Sequence, residues 1–491
     1  MSRRRRAHGR TRGPRWTSNQ RATLVAMSIA NFAVALDFLG VNVALPAIGR
    51  DLGGALGGLQ WVTTAYLLTL TTVLIPAGRA ADLFGRTRTC IAGLTVFAAG
   101  SVVSALSGTI DLLVVARGVT GAGAAILTAT TLAIVSDAFP DHSARGPAIG
   151  AWTAIGAVGS ALGPPVAGVV TEVASWRWFL VVAVPLTATA LLFLVRRDLR
   201  DPGPSPAGRA GASGRSDAMD WTGAALMTLG VGALVVVLLE GPDLGWNAPL
   251  VVGAAVGAVV GLGLFVARER TAPTPLIDLG SFRDRRFVTS SGVAFIANIA
   301  FACVMFFMTL YLQSVRGLTS SEAGLVFLGL SAALVVGSPI AGRLVVRVGG
   351  ATVMAAGMIL IAASFVVLGL VGVGTGVAII VGGLALSGLG QAFAFDASNT
   401  TALDAVDDAA AGAAAGLVSG ARQAGSLFGL AVAGSAFRLL ERNAESVTGT
   451  RQAFLDALEP TMLGVAACCA VGVVIAMLGR AHPAARRARL G

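Results

Sequence analysis

Four ionisable side chains stand alone in long apolar stretches: Asp37 in AVALDFLGVNV (33–43), Arg117 in LLVVARGVTGAGAA (112–125), Asp396 in QAFAFDASNT (391–400) and Arg422 in GARQAGSLFG (420–429). A carboxyl removed from water keeps its proton, and a guanidinium brought against it makes it give the proton up. An Asp and an Arg whose separation changes therefore load and unload a proton. No other chemistry competes. His8, His142 and His482 lie in tails or a loop, and Cys90, Cys303, Cys468 and Cys469 have no metal-ligand spacing and read as small apolar residues. Lysine is absent, so no G-x-x-x-x-G-K-[ST] phosphate cradle exists. With no nucleophile–base pair, metal set or nucleotide site, the chain is not expected to be an enzyme or to carry a cofactor. Work is expected to draw on an ion gradient, here of protons.

The elements that must position these residues are membrane helices. The 491 residues are 55% hydrophobic and only 12% charged, with a mean hydropathy of +0.79. Apolar runs of about 20 residues suffice to cross a bilayer core. Fourteen are read, near 22–48, 59–80, 89–107, 110–136, 147–171, 176–195, 221–241, 247–267, 288–313, 323–343, 350–371, 374–402, 413–438 and 461–479. The first is too long for a signal peptide and leads straight into further spans. All 36 basic residues are arginine. With the N-terminus cytoplasmic, 28 fall on the cytoplasmic side, six outside and two (Arg117 and Arg422) within spans. This asymmetry places both termini in the cytoplasm and explains the charge of +11 without a nucleic-acid partner.

On this topology GRAADLFGRTR (78–88) is the cytoplasmic turn between spans two and three, with Arg79, Asp82, Arg86 and Arg88 set among Gly78 and Gly85. The arginines serve topology. Asp82 does not, and is expected to latch one conformation by holding an arginine or a helix N-terminus. Gly78 is expected to allow close helix approach and Gly85 a turn at positive φ. A partial copy, GRLVVRVGG (342–350), lacks the acidic residue, with Val346 in its place. GAWTAIGAVGSALGPPVAG (150–168) also overlies GLVSGARQAGSLFGLAVAG (416–434), and Gly118, Thr130 and Thr131 overlie Gly388, Thr400 and Thr401. Three matches in one order imply a repeat.

The domains so predicted are a basic tail (1–21), a six-helix half (22–195), a Pro/Gly-rich linker (196–220), two inserted helices (221–267), a second linker (268–287), a second six-helix half (288–480) and a basic tail (481–491). By depth, Asp37 lies about nine residues, roughly 13 Å, from the outer end of its span, and Arg117 about seven residues, roughly 10 Å, from the same side. Asp396 and Arg422 form a second candidate pair. Gly159, Gly163, Pro164 and Gly168 read either as close packing with a kink or as a gating hinge. Candidate cavity residues are Asn31, Asn42, Trp61, Tyr66, Phe301, Met305 and Tyr311. Asp137, Glu172 and Glu240 read as solvated helix-end charges.

Taken together these stretches resemble the major facilitator superfamily, in its fourteen-helix drug:proton antiporter branch. GRAADLFGRTR is similar to the loop signature of that superfamily, LDFLGVNVALP (36–46) to the branch's first-helix motif, LLVVARGVTGAGAA to the fourth-helix motif and GSALGPPVAG (159–168) to the antiporter motif of helix five. WRWFLVVAVP (176–185) resembles the start of helix six. Departures are Thr120 for Gln, Ala167 for Gly, Ala183 for Asn, and the acidic Asp396 in helix twelve. The resemblance implies an all-α major facilitator fold of two six-helix halves plus two inserted helices. It also implies alternating access, a monomeric working unit in the cytoplasmic membrane, and export of lipophilic small molecules, cations among them, against protons. A dedicated exporter of one endogenous metabolite, and a non-transporting sensor or scaffold, stay open at this point.

Overall fold

The computed structural model describes residues 16–195, 220–271, 284–406, 411–448 and 450–480. Most of both predicted tails and both linkers lies outside them. The described residues are helical nearly throughout: α1 (Ser18–Leu52), α2 (Leu56–Phe84), α3 (Arg86–Leu106), α4 (Ile110–Ala138), α5 (His142–Val173), α6 (Trp176–Val181), α7 (Ala183–Val195), α8 (Trp221–Leu244), α9 (Pro249–Thr271), α10 (Arg285–Leu310), α11 (Ser320–Val326), α12 (Leu328–Val348), α13 (Gly350–Gly369), α14 (Val377–Leu403), α15 (Ala411–Thr448) and α16 (Thr450–Leu478). Pairs α6–α7 and α11–α12 each make one span with a break inside it. Thirteen spans among the described residues are long and apolar enough to cross a membrane. The fourteenth, α15, has ample length but interrupts its apolar run with Arg422, Gln423 and Arg438.

Local signals set the helix ends. Thr17 and Gln20 form a capping box at the start of α1, and Gly53 ends that helix in the left-handed region at φ 69°. Gly85 (φ 96°) closes α2 and opens α3, and Gly349 (φ 88°) does the same between α12 and α13. The turn and its sequence copy thus share one backbone solution that a side chain would strain.

Seams within the halves rest on glycines that obey the repeat. A Cβ on Gly159 would stand 2.7 Å from the Phe32 carbonyl oxygen, and one on Gly163 2.8 Å from that of Leu36, so α5 lies directly on the α1 backbone. Gly425 and Gly429 press α15 on α10 in the same way, at Phe295 and Ile299. Gly168 and Gly434 then cross between halves, to Ser320 on α11 and to Gln60 on α2. Gly78 departs from expectation: nothing lies within 4 Å of its Cβ position, so it mediates no close approach in this conformation.

The two halves meet mainly at one end. Call the end holding the 79–88 turn the arginine-rich end and its opposite the far end. One apolar core joins far-end residues of the first half, such as Leu39, Leu45, Val62 and Phe179, to the second half. Toward the arginine-rich end the first half has its own core around Met27, Phe97 and Leu127, with no second-half residue in it. Polar contacts between halves also stand toward the far end. Gln60 Nε2 donates to the Leu430 carbonyl at 2.7 Å, Gln313 Nε2 to that of Val43 at 2.8 Å, and the Glu172 carboxylate accepts from the Ser321 amide at 3.1 Å. Glu172, exposed as expected of a helix-end charge, therefore also clasps α11.

Gly78→Ala is expected to leave stability unchanged or raise it by about 0.5–1 kcal/mol, since alanine is the better helix residue in open space. Gly163→Val is expected to lower it by about 1–3 kcal/mol by overpacking the α1 seam. Thermal denaturation of the purified protein in detergent separates the two.

Candidate functional site

Asp37 and Arg117 face each other between α1 and α4, Asp37 near the middle of α1 and Arg117 two turns into α4. Arg117 Nη1 lies 2.8 Å from Asp37 Oδ2 and 3.0 Å from Oδ1. Asp37 is 2% exposed and Arg117 1%. The contact is made by one nitrogen, not by the two-pronged fork an arginine can offer. Nε and Nη2 are buried without a hydrogen-bond partner among the described residues. The guanidinium lies flat on Tyr66, 4.5 Å from the ring centroid. Desolvated cation–π contact of this kind is worth up to about 2 kcal/mol, so Tyr66 takes the place of missing hydrogen bonds.

A small cavity lies at the junction of the halves, with Phe38 and Tyr66 between it and the pair. Its volume is 10 Å³, about the least that holds one water. Its walls include Phe38, Asn42 and Thr63 from the first half and Phe301 and Met305 from the second. Asn42 Nδ2 is occupied by the Phe38 and Leu39 carbonyls of its own helix, while Thr63 Oγ1 is buried and unpartnered. Asn42, Phe301 and Met305 thus stand where a cavity reading puts them, and the others do not. Tyr66 sits behind Phe38, ring centroids 5.9 Å apart and 21° from parallel. Asn31 donates to the Trp152 carbonyl at 3.3 Å and packs on Gly156, between α1 and α5. Trp61 Nε1 donates to Glu240 on α8 at 2.6 Å. Tyr311, fully buried in a π-helical turn that ends α10, donates to the Gly372 carbonyl at 2.8 Å near the far end.

Asp396 and Arg422 do not form an ion pair. Arg422 lies over the Phe395 ring, 4.3 Å from its centroid, and Asp396 Oδ2 is buried with no hydrogen-bond partner. In the 79–88 turn Asp82 is 3.5 Å from Arg86, one helical turn on, while the shorter bond of Arg86 goes to Asp137 at 2.7 Å. Asp82 is half exposed and holds no element of the second half. Arg88 is exposed. Gly159, Gly163 and Gly168 are packing points in the seams described above, and the Pro164 carbonyl would lie 2.6 Å from a Cβ on Gly324 of α11. Asp137 and Glu240 have partners where solvated ends were expected. Glutamines in apolar spans were the available signal for the crossing contacts at Gln60 and Gln313.

The profile of the Major Facilitator Superfamily matches residues 27–430. The chain belongs to that superfamily. It is a multi-pass membrane transporter and not an enzyme. Among its relatives is the Multidrug resistance protein Stp of Mycobacterium tuberculosis, 36% identical over 418 residues, 85% of this chain and 75% of that one. The Tetracenomycin C resistance and export protein of Streptomyces glaucescens is 32% identical over 416 residues, 84% and 75% of the two chains. The Methylenomycin A resistance protein of Bacillus subtilis is 31% identical over 326 residues, 66% and 68%. Solved structures share the fold at low identity. An auto-inhibited POT family peptide transporter gives a TM-score of 0.67 at 16% identity over 94% of this chain and 96% of that one. A bacterial homolog of the human lysosomal transporter Spinster gives 0.64 at 15% over 95% and 99%.

Removing one member of a buried pair strands the other, at a cost of about 3–5 kcal/mol. Arg117→Met is expected to lower thermal stability by that order if Asp37 stays charged, or to leave a neutral acid and a smaller loss. The double variant Asp37→Asn/Arg117→Met is expected to recover part of the loss seen in Asp37→Asn. Additive losses in thermal melts of the three proteins contradict pairing in solution.

Proposed function

We propose that this transporter exports lipophilic small molecules, organic cations among them, across the cytoplasmic membrane in exchange for protons, with both termini in the cytoplasm and the single chain as working unit. The observation that carries the reading is the Asp37–Arg117 pair, buried from water on both sides and set behind Phe38 and Tyr66 from the cavity where the halves meet. Intramembrane charge is costly and marks function by default. Arg117, held by a single nitrogen, can leave Asp37 without rearranging a fork. When it leaves, Asp37 becomes a buried acid that takes a proton; when it returns, the proton goes.

The relatives named for drug or antibiotic resistance support export as the direction. The arginine asymmetry supports placing the arginine-rich end in the cytoplasm. With that placement the conformation is closed outside by Gln60, Gln313 and Glu172, and the inner parts of the halves keep separate cores. Asp82, which engages only its own half, fits the same state. Rocking one half against the other exposes the central cavity to each side in turn. Asp396 is the second candidate carrier, since its unpartnered oxygen is free to hold a proton or a cation. A second reading, a dedicated exporter of one antibiotic, draws support from the two relatives named for a single compound.

Ethidium efflux from cells tests the proposal. Efflux is expected to stop when the proton gradient is collapsed, and to fall at least about tenfold in Asp37→Asn at equal membrane level, since loss of the carrier removes the coupled step. Gradient-dependent efflux that survives Asp37→Asn moves the proton to Asp396. No efflux of ethidium or related dyes by protein in the membrane favours the dedicated exporter.

A further inference from the structure

Four groups form a closed circuit around the cavity wall. Phe38 lines the cavity, its ring stacks on Tyr66, the Arg117 guanidinium also lies over the Tyr66 ring, and Arg117 binds Asp37, the residue preceding Phe38 on α1. Tyr66 is 1% exposed and its hydroxyl has no partner among the described residues, so no hydrogen bond of that group accounts for a tyrosine here. What the ring does have is two aromatic-face contacts, one toward the cavity and one toward the proton site. Its backbone is fixed, since α4 rides on it at Gly121, whose Cβ position lies 2.8 Å from the Tyr66 Cα.

We propose that Tyr66 is the positioning residue that transmits cavity occupancy to the Asp37–Arg117 pair. The assignment rests on the proton-exchange reading above. A lipophilic molecule entering beside Met305 and Phe301 presses Phe38 toward Tyr66. The ring then holds Arg117 against Asp37, and the proton of the Asp37 carboxyl leaves to solvent while its oxygens accept from Arg117. Protonation of Asp37 frees Arg117 and lets Tyr66 and Phe38 relax into the cavity, which closes it to the lipophile. Occupancy and protonation thereby exclude each other, which exchange requires, because coupling between two sites is reciprocal.

The test is the number of protons released per ethidium bound by the purified full chain in weakly buffered detergent. Wild type is expected to release protons on binding and Asp37→Asn to release none. Tyr66→Phe, which keeps the ring, is expected to stay within about 1.5-fold of wild type, and Tyr66→Leu to fall at least about fivefold per bound ethidium, the size of a typical coupling factor. Phe38→Leu, which cuts the circuit at its other contact, is expected to fall likewise and decides the matter if Tyr66→Leu does not fold. Undiminished release in Tyr66→Leu or Phe38→Leu overturns the assignment alone. A wild type that binds ethidium without releasing protons, or binds neither ethidium nor tetraphenylphosphonium, overturns the exchange reading and the assignment with it.

A separate set of contacts gives the inserted helices a task. The last turns of α8 are held from both halves at the far end. From the first half, Trp61 of α2 donates to Glu240. From the second, Arg438 of α15 reaches Asp243 at 2.7 Å and the Leu239 carbonyl, Arg442 reaches Asp243 and the Pro242 carbonyl, and Ser435 the Leu238 carbonyl. Arg438 is 4% exposed and fills the space beside Gly57 of α2. α8 also packs on α2 deeper in, at Gly232 and Leu68.

We infer that α8 is a latch in series between α2 and α15, and that outward opening parts it from Ser435, Arg438 and Arg442. This too rests on alternating access. Spin labels at Ala55 and Leu440, both exposed, in a chain with its four cysteines replaced by alanine, report the gap by electron–electron distance measurement. Asp243→Asn and Trp61→Phe are each expected to move population from the short to the long distance by about twofold or more, the double variant no further than the larger single change, and Asp243→Glu to restore the wild-type distribution. Trp61→Phe decides alone if Asp243→Asn does not fold. Two wild-type distances left unmoved by the variants, or moved additively, overturn the latch. One short distance in every protein, with and without ethidium, overturns alternating access as well.

Discussion

Two opposite charges buried at the middle of the first half dictate much else in this molecule. Each costs several kcal/mol to remove from water, and their attraction offsets this only while they stay in contact. α1 and α4 must therefore be fixed to within a fraction of an ångström, or the pair fails. The glycine seam of α5 on α1 supplies this fit on one side. The close seat of Gly121 on the α2 backbone at Tyr66 supplies it on the other. The second half repeats the seams without the charges. By the alignments of Phe32 with Phe295 and of Gly118 with Gly388, Asp37 corresponds to Ala300 and Arg117 to Ser387, neither of them charged. The buried ion pair belongs to one half, and the second half carries its own partly buried charges, Asp396 and Arg422, at other positions and without a salt bridge between them.

The same repeat explains where the halves touch. Gly168 and Gly434 are equivalent positions, and each is the point at which its helix crosses to the opposite half. A transporter whose halves met by unrelated contacts would need two designs for one motion. Here two related crossings, α5 on α11 and α15 on α2, close the far end together. At the arginine-rich end the first half keeps a core of its own, so parting there exposes little apolar surface that was shared.

Helix number, the two-half plan and the Asp37–Arg117 pairing were legible because each leaves a mark in composition: apolar length, glycine spacing, and charge where charge is expensive. Gly85 was legible for a similar reason, since a glycine flanked by helical sequence on both sides signals a backbone that needs positive φ. Gly78 misled because a glycine near a helix end does not by itself say whether another helix lies over it. Asp396 and Arg422 misled because sharing a depth is not sharing a direction; Phe395, adjacent in sequence, intercepted the guanidinium. Trp61, Tyr66 and Tyr311 share one cause of error. Aromatic residues in apolar helices suit cavity walls and second-layer packing equally, and only rotation about the helix axis separates the two. Glu240 read as solvated because helix-end carboxylates usually are, and nothing local announces a partner more than a hundred residues away; Glu172 is exposed as read, and its bond to Ser321 was equally unannounced.

The proposed export of varied lipophiles is consistent with what the cavity wall lacks. Phe38, Phe301 and Met305 offer area without direction, and methionine adapts its shape to the molecule presented. The polar atoms near them are few, and Asn42 has turned its amide nitrogen onto its own helix. Such a wall discriminates by size and oiliness, where one methylene more or less is worth only about 1–3 kcal/mol. Sign of charge is the property it cannot sense by contact. That discrimination must come from Asp37 and Asp396, and Asp37 is neutralised by Arg117 whenever the pair is made. A cation would thus be favoured by Asp396 alone in this conformation. An uncharged lipophile would pay no penalty, in keeping with the proposal that cations are among the substrates and not the whole of them.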